Sequence, residues 1–239
     1  MKGGVWLKLF EIDTVKDSHS YQMYSKLCEF PNEKACLDIK KDVERTMAEL
    51  RLWDEDLQCG NNKLFNVLVA YANYDNEVGY VQGMNYIVAL LLFYIKDEEQ
   101  VFWCFYQIMH KYDWRSIFKQ GFPKLMELSD YLNERLTEEF PSLLRHLEEN
   151  SLVVTQGIFT GHFMTFGMNN CPVEIATRLF ELFILDGEQS FIRLLLRMFE
   201  LRQDEMFALT DVSLQSYIHT DLIASCIQSY PMRTLVDDD

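Results

Sequence analysis

Two short segments carry residue types that can handle an anion. In Ile39-Lys40-Lys41-Asp42-Val43-Glu44-Arg45-Thr46 an arginine follows an aspartate by three residues. On a helix, Asp42, Arg45 and Glu49 share one face, beside an apolar face of Ile39, Val43, Met47 and Leu50. Two readings stay open. Arg45 is an ordinary surface arginine in an ion pair worth roughly a few tenths of a kcal/mol, or the carboxylates hold its planar fork ready for an anionic partner. In Gly79-Tyr80-Val81-Gln82-Gly83-Met84-Asn85 two glycines flank a polar amide at the mouth of an apolar helix. Glycine lets backbone approach a ligand closely. A residue just before a helix sits where N–H groups are unpaired and the dipole is positive. The competing reading is a capping turn in which Gln82 satisfies its own backbone.

The elements that must position these segments read as helices nearly throughout. Leu64, Val67, Leu68, Tyr71 and Ala72 keep the rhythm of one helix face, with Asn62 as a candidate cap. The apolar run from Met84 to Ile95 predicts a buried helix. From Gln100, the residues Val101, Phe102, Phe105, Ile108 and Met109 form another stripe. Shorter helices are expected over 129–136 and 142–147, parted by Pro141. A hairpin is expected from 173–185 and 190–201, joined at Asp186-Gly187-Glu188. The weakest patterning, near 149–155, places a division between an N-terminal catalytic lobe 1–150 and a C-terminal lobe 151–239 of one domain. The acidic tail Val236-Asp237-Asp238-Asp239 is expected to fray.

Composition narrows the chemistry. The 239 residues carry 22 Lys and Arg against 37 Asp and Glu, a net charge of −15. Such a chain repels phosphate backbones, which argues against nucleic-acid binding. Only 10 Gly and 5 Pro punctuate it, too few for a sandwich or barrel with frequent tight turns. No Cys-x-x-Cys pair occurs among the six cysteines, and no signal peptide or Asn-x-Ser/Thr sequon appears, so reduced thiols in a cytoplasmic protein are expected. The Met84–Ile95 run is too short to span a bilayer, which needs ~20 apolar residues. No phosphate-binding loop, dinucleotide fingerprint, nucleophile elbow or His-Glu-x-x-His motif occurs. The five histidines show no ligand spacing, so no metal is expected.

Taken together, the two segments resemble the TBC domain family, the GTPase-activating proteins of Rab-type small GTPases. The family's I-x-x-D-x-x-R motif is met by Ile39, Asp42 and Arg45, and its Y-x-Q-G-M motif by Tyr80, Gln82, Gly83 and Met84. Gly60-Asn61-Asn62-Lys63-Leu64 and Val67 to Ala72 also read like the family. Its R-x-x-x-W motif is met in part by Trp6, with Lys2 in the arginine's place. The family usually has a short lead-in before that motif, and the chain begins at it, as a fragment or a reduced version would.

The resemblance implies an all-α, two-lobed, V-shaped fold whose groove accepts a GTP-bound Rab-type GTPase. It implies an arginine finger at Arg45 and a glutamine finger at Gln82. Asp42 would orient Arg45, Tyr80 and Gly83 would fix the loop that aims Gln82, and Ile39 and Trp6 would support the fingers or meet the GTPase. Mg²⁺ and GTP would arrive with the partner, so no cofactor of the chain's own is implied. Recruitment to endomembranes would come through the partner. A catalytically weak pseudo-GAP that binds a GTPase, or a helical scaffold with no GTPase partner, are the alternatives.

Overall fold

The structure, a computed structural model, describes residues 2–19, 22–29, 33–49, 57–154, 157–170 and 172–229. The face positions expected for Met47, Glu49 and Leu50, and the acidic tail, lie outside the described residues and side chains. Among the described residues regular structure is helical and no strand forms, as the periodicity predicts. The chain divides into two compact units, Met1–Phe122 and Pro123–Asp239.

The first unit holds α1 (Lys2–Leu9), α2 (Ile12–Asp17), α3 (Met23–Glu29), α4 (Glu33–Glu49), α5 (Leu57–Tyr74), α6 (Met84–Tyr94) and α7 (Glu98–His110). A 3₁₀ turn, Trp114–Ile117, follows. Helix α5 starts five residues before Asn62, which therefore lies inside it and not at its cap. Every residue of α6 from Met84 to Leu91 is buried. A helix that is apolar all round must be enclosed on every side, and α1, α4, α5 and α7 all pack on it. Helix α5 contributes Leu64, Val67, Leu68 and Tyr71 to this core, and α7 contributes Val101, Phe102, Phe105, Ile108 and Met109. The Asp97 carboxylate caps α7 by accepting from the Gln100 N–H at 2.8 Å, with Glu98 and Glu99 in the favourable first turn. The result is a rigid frame around α6, whose first turn follows the Gln82 loop directly.

The second unit holds α8 (Pro123–Glu139), α9 (Pro141–Glu149), α10 (Thr160–Thr165), α11 (Val173–Asp186), α12 (Glu188–Phe207), α13 (Asp211–Ser216) and α14 (Leu222–Ser229). The expected hairpin forms from α11 and α12, turning at Gly187 with φ 78°. The division between units falls at Phe122/Pro123, not near residue 150 as the weak patterning suggested. Helices α8 and α9 pack on each other and on α12, so they belong with the second unit. The described part of the weakly patterned stretch, 149–154, is the end of α9 and the turn after it, where Leu152 and Val154 are buried. Two histidines that look scattered in sequence meet here. His162 on α10 is 2% exposed and stacks on His219, which sits in a π-helical turn, Tyr217–Asp221. Burial is the main cause that lowers the His162 pKa to about 4, with the nearby His219 adding to it.

Candidate functional site

The first segment lies on α4. Ile39 and Val43 are buried, and α4 packs on α5 and α6. That leaves Asp42 half-buried and Arg45 exposed on adjoining faces. Asp42 Oδ1 accepts from Arg45 Nη2 at 2.8 Å, and Asp42 Oδ2 accepts from the Tyr80 phenol at 2.8 Å. One carboxylate is thus shared between an arginine one turn along its own helix and a tyrosine on the glycine-flanked segment. The Arg45 side chain is 46% exposed and the Asp42 side chain 13%. The pair is therefore anchored at its acid and presented at its base. Burial, and then the hydrogen bond to Asp42 and its charge, raise the Tyr80 pKa far above the ordinary tyrosine range. Tyr80 accordingly keeps its proton and donates a fixed hydrogen bond to Asp42.

The second segment is the loop between α5 and α6. Gln82 is exposed and is followed by Gly83, the N-cap of α6, at φ 112° and ψ −36°. That backbone conformation is open to glycine and strained for other residues, which explains a glycine next to the amide. The Gly83 N–H, one of the donors a helix start leaves over, is accepted by Asn85 Oδ1 at 2.8 Å. Asn85 Nδ2 donates to Thr46 Oγ1 at 2.5 Å, and the Thr46 hydroxyl donates to the Asp42 carbonyl at 2.6 Å. Thr46 and Asn85 are both 0% exposed.

These bonds close a ring. From Asp42 one branch runs through Tyr80 to the loop; the other runs through Thr46 and Asn85 to Gly83. Arg45 and Gln82 are the exposed residues at either edge of it. The sequence reading missed Thr46 and Asn85 as parts of the site. The available signal was Asn85 itself, since an amide at the start of an otherwise apolar buried run has to find partners.

The root of the loop is a third feature absent from the sequence reading. Asp75, the first residue after α5, is 6% exposed. Arg115, from the 3₁₀ turn, grips it with two bonds, Nε to Oδ2 at 2.6 Å and Nη2 to Oδ1 at 2.8 Å.

Of the remaining predicted residues, Ile39 belongs to the packed face of α4. Trp6 is 1% exposed and meets the Tyr94 ring edge-on at 5.0 Å between centroids. Tyr94 is the last residue of α6, about 15 Å from its first by helix rise. Trp6 therefore braces the opposite end of α6 from Gln82, and its buried ring offers no surface to a partner.

Comparison with known proteins agrees with this architecture. The Rab-GTPase-TBC domain family matches residues 1–207. The human Ecotropic viral integration site 5 protein homolog is 31% identical over 205 residues, covering 86% of this chain and 25% of that protein. The Caenorhabditis elegans Rab GTPase-activating protein eat-17 is 32% identical over 149 residues, 62% of this chain and 16% of that one. The chain thus spans about a quarter or less of the length of these relatives. A crystal structure of the Chlamydomonas flagellar RabGAP TBC domain shares the fold, with a TM-score of 0.77 at 21% identity over 99% of this chain and 79% of that one. With the family matched across both helical units and the Asp42–Arg45 and Tyr80–Gly83 segments bonded to each other, the chain belongs to the Rab-GTPase-TBC domain family.

Proposed function

We propose that the chain is a GTPase-activating domain that accelerates hydrolysis by a GTP-bound Rab-type GTPase, with Arg45 and Gln82 supplied in trans. The observation that carries this reading is the ring centred on Asp42, which ties the arginine segment to the glutamine segment while leaving Arg45 and Gln82 exposed. The name of the Caenorhabditis elegans relative, Rab GTPase-activating protein, supports the same reading.

A small GTPase alone hydrolyses GTP slowly because charge on the transferring phosphoryl group is incompletely stabilised and the water is loosely oriented. Arg45 would donate its planar fork to phosphate oxygens as that charge develops. An arginine finger is worth ~10³–10⁵ in rate, or about 4–7 kcal/mol. The Gln82 amide would accept from the attacking water and donate to the γ-phosphate together, which neither a carboxylate nor an ammonium can do. Mg²⁺ and GTP belong to the partner in this reading. Among the described residues no helix is long and apolar enough to cross a membrane, and the reading assigns recruitment to endomembranes in vesicle trafficking to the partner.

The test is single-turnover GTP hydrolysis across a panel of GTP-loaded Rab-type GTPases at saturating chain. Arg45→Lys keeps the charge and removes the fork. Turnover is expected to fall by more than about tenfold while affinity for the GTP-loaded GTPase holds within about threefold. Gln82→Ala is expected to behave likewise. Turnover of Arg45→Lys within about threefold of wild type would remove the finger, and binding without stimulation would reduce the chain to a docking module.

A further inference from the structure

We propose that Arg115 is a positioning residue for the Gln82 loop: by clamping Asp75 it fixes the turn that presents the amide. The inference rests on the function proposed above for its kinetic consequence, and on geometry alone for the clamp.

The loop runs from Asp75 to Gly83 and contains two glycines at positive φ, Gly79 at 66° and Gly83 at 112°. A Cβ at Gly79 would meet nothing within 4 Å, so that glycine is a matter of backbone conformation and not of space. Two such residues make a loop that bends freely unless its ends are tied. The end nearer α6 is tied by Tyr80 to Asp42 and by Asn85 to Gly83. The end at α5 is tied chiefly through Asp75. Its carbonyl accepts from the Gly79 N–H at 2.7 Å, its Oδ1 from the Val78 N–H at 3.3 Å, and its Oδ2 from the Tyr71 hydroxyl at 3.2 Å.

This turn depends on a carboxylate held almost out of water, which is unfavourable without a partner of opposite charge. Arg115 is that partner. Its side chain is itself only 15% exposed, and the same Nη2 that reaches Asp75 also reaches Glu77 Oε2 at 2.6 Å, two residues along the loop. One guanidinium therefore spans the turn from Asp75 to Glu77. Burial works to raise the Asp75 pKa. The hydrogen bonds and charge of Arg115, with the Val78 N–H and Tyr71, outweigh it, so the carboxyl ends below its usual range. A lysine in place of Arg115 cannot reproduce the fork. The Asp75 turn would then lose its second tie, and the Gly79 bend would be free to wander with Gln82 three residues beyond it.

The experiment has two arms on the full chain, with Arg115→Lys and, as a second variant that keeps the side chain's shape but removes its charge, Asp75→Asn. In the first arm, amide hydrogen exchange is followed without any GTPase. Protection at Val78 and Gly79 is expected to fall about tenfold while Leu90 and Leu91 in α6 keep theirs. Unchanged protection at the loop, or equal loss in α6, overturns the clamp. In the second arm, single-turnover hydrolysis by a GTP-loaded Rab-type GTPase from the panel is measured against chain concentration, with and without Gln82→Ala. The maximal rate is expected to fall at least about tenfold, the half-saturating concentration to stay within about threefold, and the loss to vanish in the Gln82→Ala background. A loss of equal size in both backgrounds, or no loss in either, overturns positioning through Gln82. A wild-type chain that stimulates no GTPase defeats the proposed function instead, and the exchange arm still decides whether Arg115 holds the loop.

Discussion

Replacing Thr46 with valine tests whether the two site segments are held in register by a buried polar bond. The substitution keeps the branched shape and deletes one hydroxyl. That hydroxyl makes two bonds. The one it donates to the Asp42 carbonyl costs little to lose, because that carbonyl lies one helical turn back and still receives the Thr46 N–H. The other matters more. Asn85 Nδ2, in a residue with 0% exposure, loses the acceptor it holds at 2.5 Å. A buried donor left without a partner costs about 1–3 kcal/mol, against a total domain stability of about 5–15 kcal/mol. Thr46→Val should therefore fold, with about 2 kcal/mol removed. Asn85→Leu should cost at least as much, since it orphans the Gly83 N–H at the start of α6.

The assay is urea unfolding followed by tryptophan fluorescence. All 4 tryptophans, Trp6, Trp53, Trp103 and Trp114, precede Phe122, so the signal reports on the unit that carries the site. In the double variant Thr46→Val with Asn85→Leu both partners are gone, and the combined loss should fall short of the sum by about 1–2 kcal/mol. Additive losses, or a Thr46→Val stability within about 0.5 kcal/mol of wild type, would refute the reasoning.

Three further outcomes follow from the same geometry. Tyr80→Phe removes one of two donors to Asp42 without touching Arg45; it should cost about 1.5–3 kcal/mol in the same urea assay, as for a bond to a charged group. Gly83→Ala forces an L-residue to φ 112° and should cost about 1–3 kcal/mol, read as a lower thermal midpoint in circular dichroism without loss of helical signal at 20 °C or so. His162 has a folded pKa of about 4 against an ordinary value near 6.5, lowered chiefly by burial; His219 beside it is lowered in the same direction, also by burial. The unfolded chain therefore takes up protons below about pH 6.5 that the folded chain refuses, and stability present above that pH is lost between about 6.5 and 4, up to about 3 kcal/mol from His162. Stability curves of wild type and His162→Gln against pH should converge across that window, and parallel curves would show that the ring is not held neutral.

The parts of the site that sequence reveals are those that break a local pattern. Gly79 and Gly83 interrupt a helical rhythm, and both adopt the positive φ that only an interruption of that kind requires. Arg45 sits one turn from Asp42, so their pairing is a consequence of helix geometry and can be read without coordinates. The helical hairpin at Gly187 was legible for the same reason, since two periodic runs flank one punctuating glycine. Thr46 with Asn85 and Arg115 with Asp75 are different. They pair across 39 and 40 residues, and nothing in the residues around either partner specifies the other. The boundary at Phe122/Pro123 was hidden likewise, because α8 and α9 are assigned to a unit by what they pack against and not by their own pattern.

This separation has a physical logic that bears on how such a site works. An exposed arginine and an exposed glutamine are long and flexible, and ordering each costs roughly 1.5–2 kcal/mol of side-chain freedom. Interactions with a partner repay that cost only when the backbone beneath is already in place. The ring and the loop's root satisfy the condition with groups withdrawn wholly or partly from solvent: the half-buried Asp42 and Tyr80, the fully buried Thr46 and Asn85, and the Asp75–Arg115 pair. Each of them spends its polar capacity inside the unit. Arg45 and Gln82 stand at the surface with side chains of long reach and suitable donor geometry. Substitutions in the hidden set should therefore lower stability and aim together, whereas substitutions of Arg45 or Gln82 should change chemistry with little change in fold. A hidden-set variant that kept full stability yet lost aim, or a surface variant that unfolded the first unit, would show that support and function are not divided in this way.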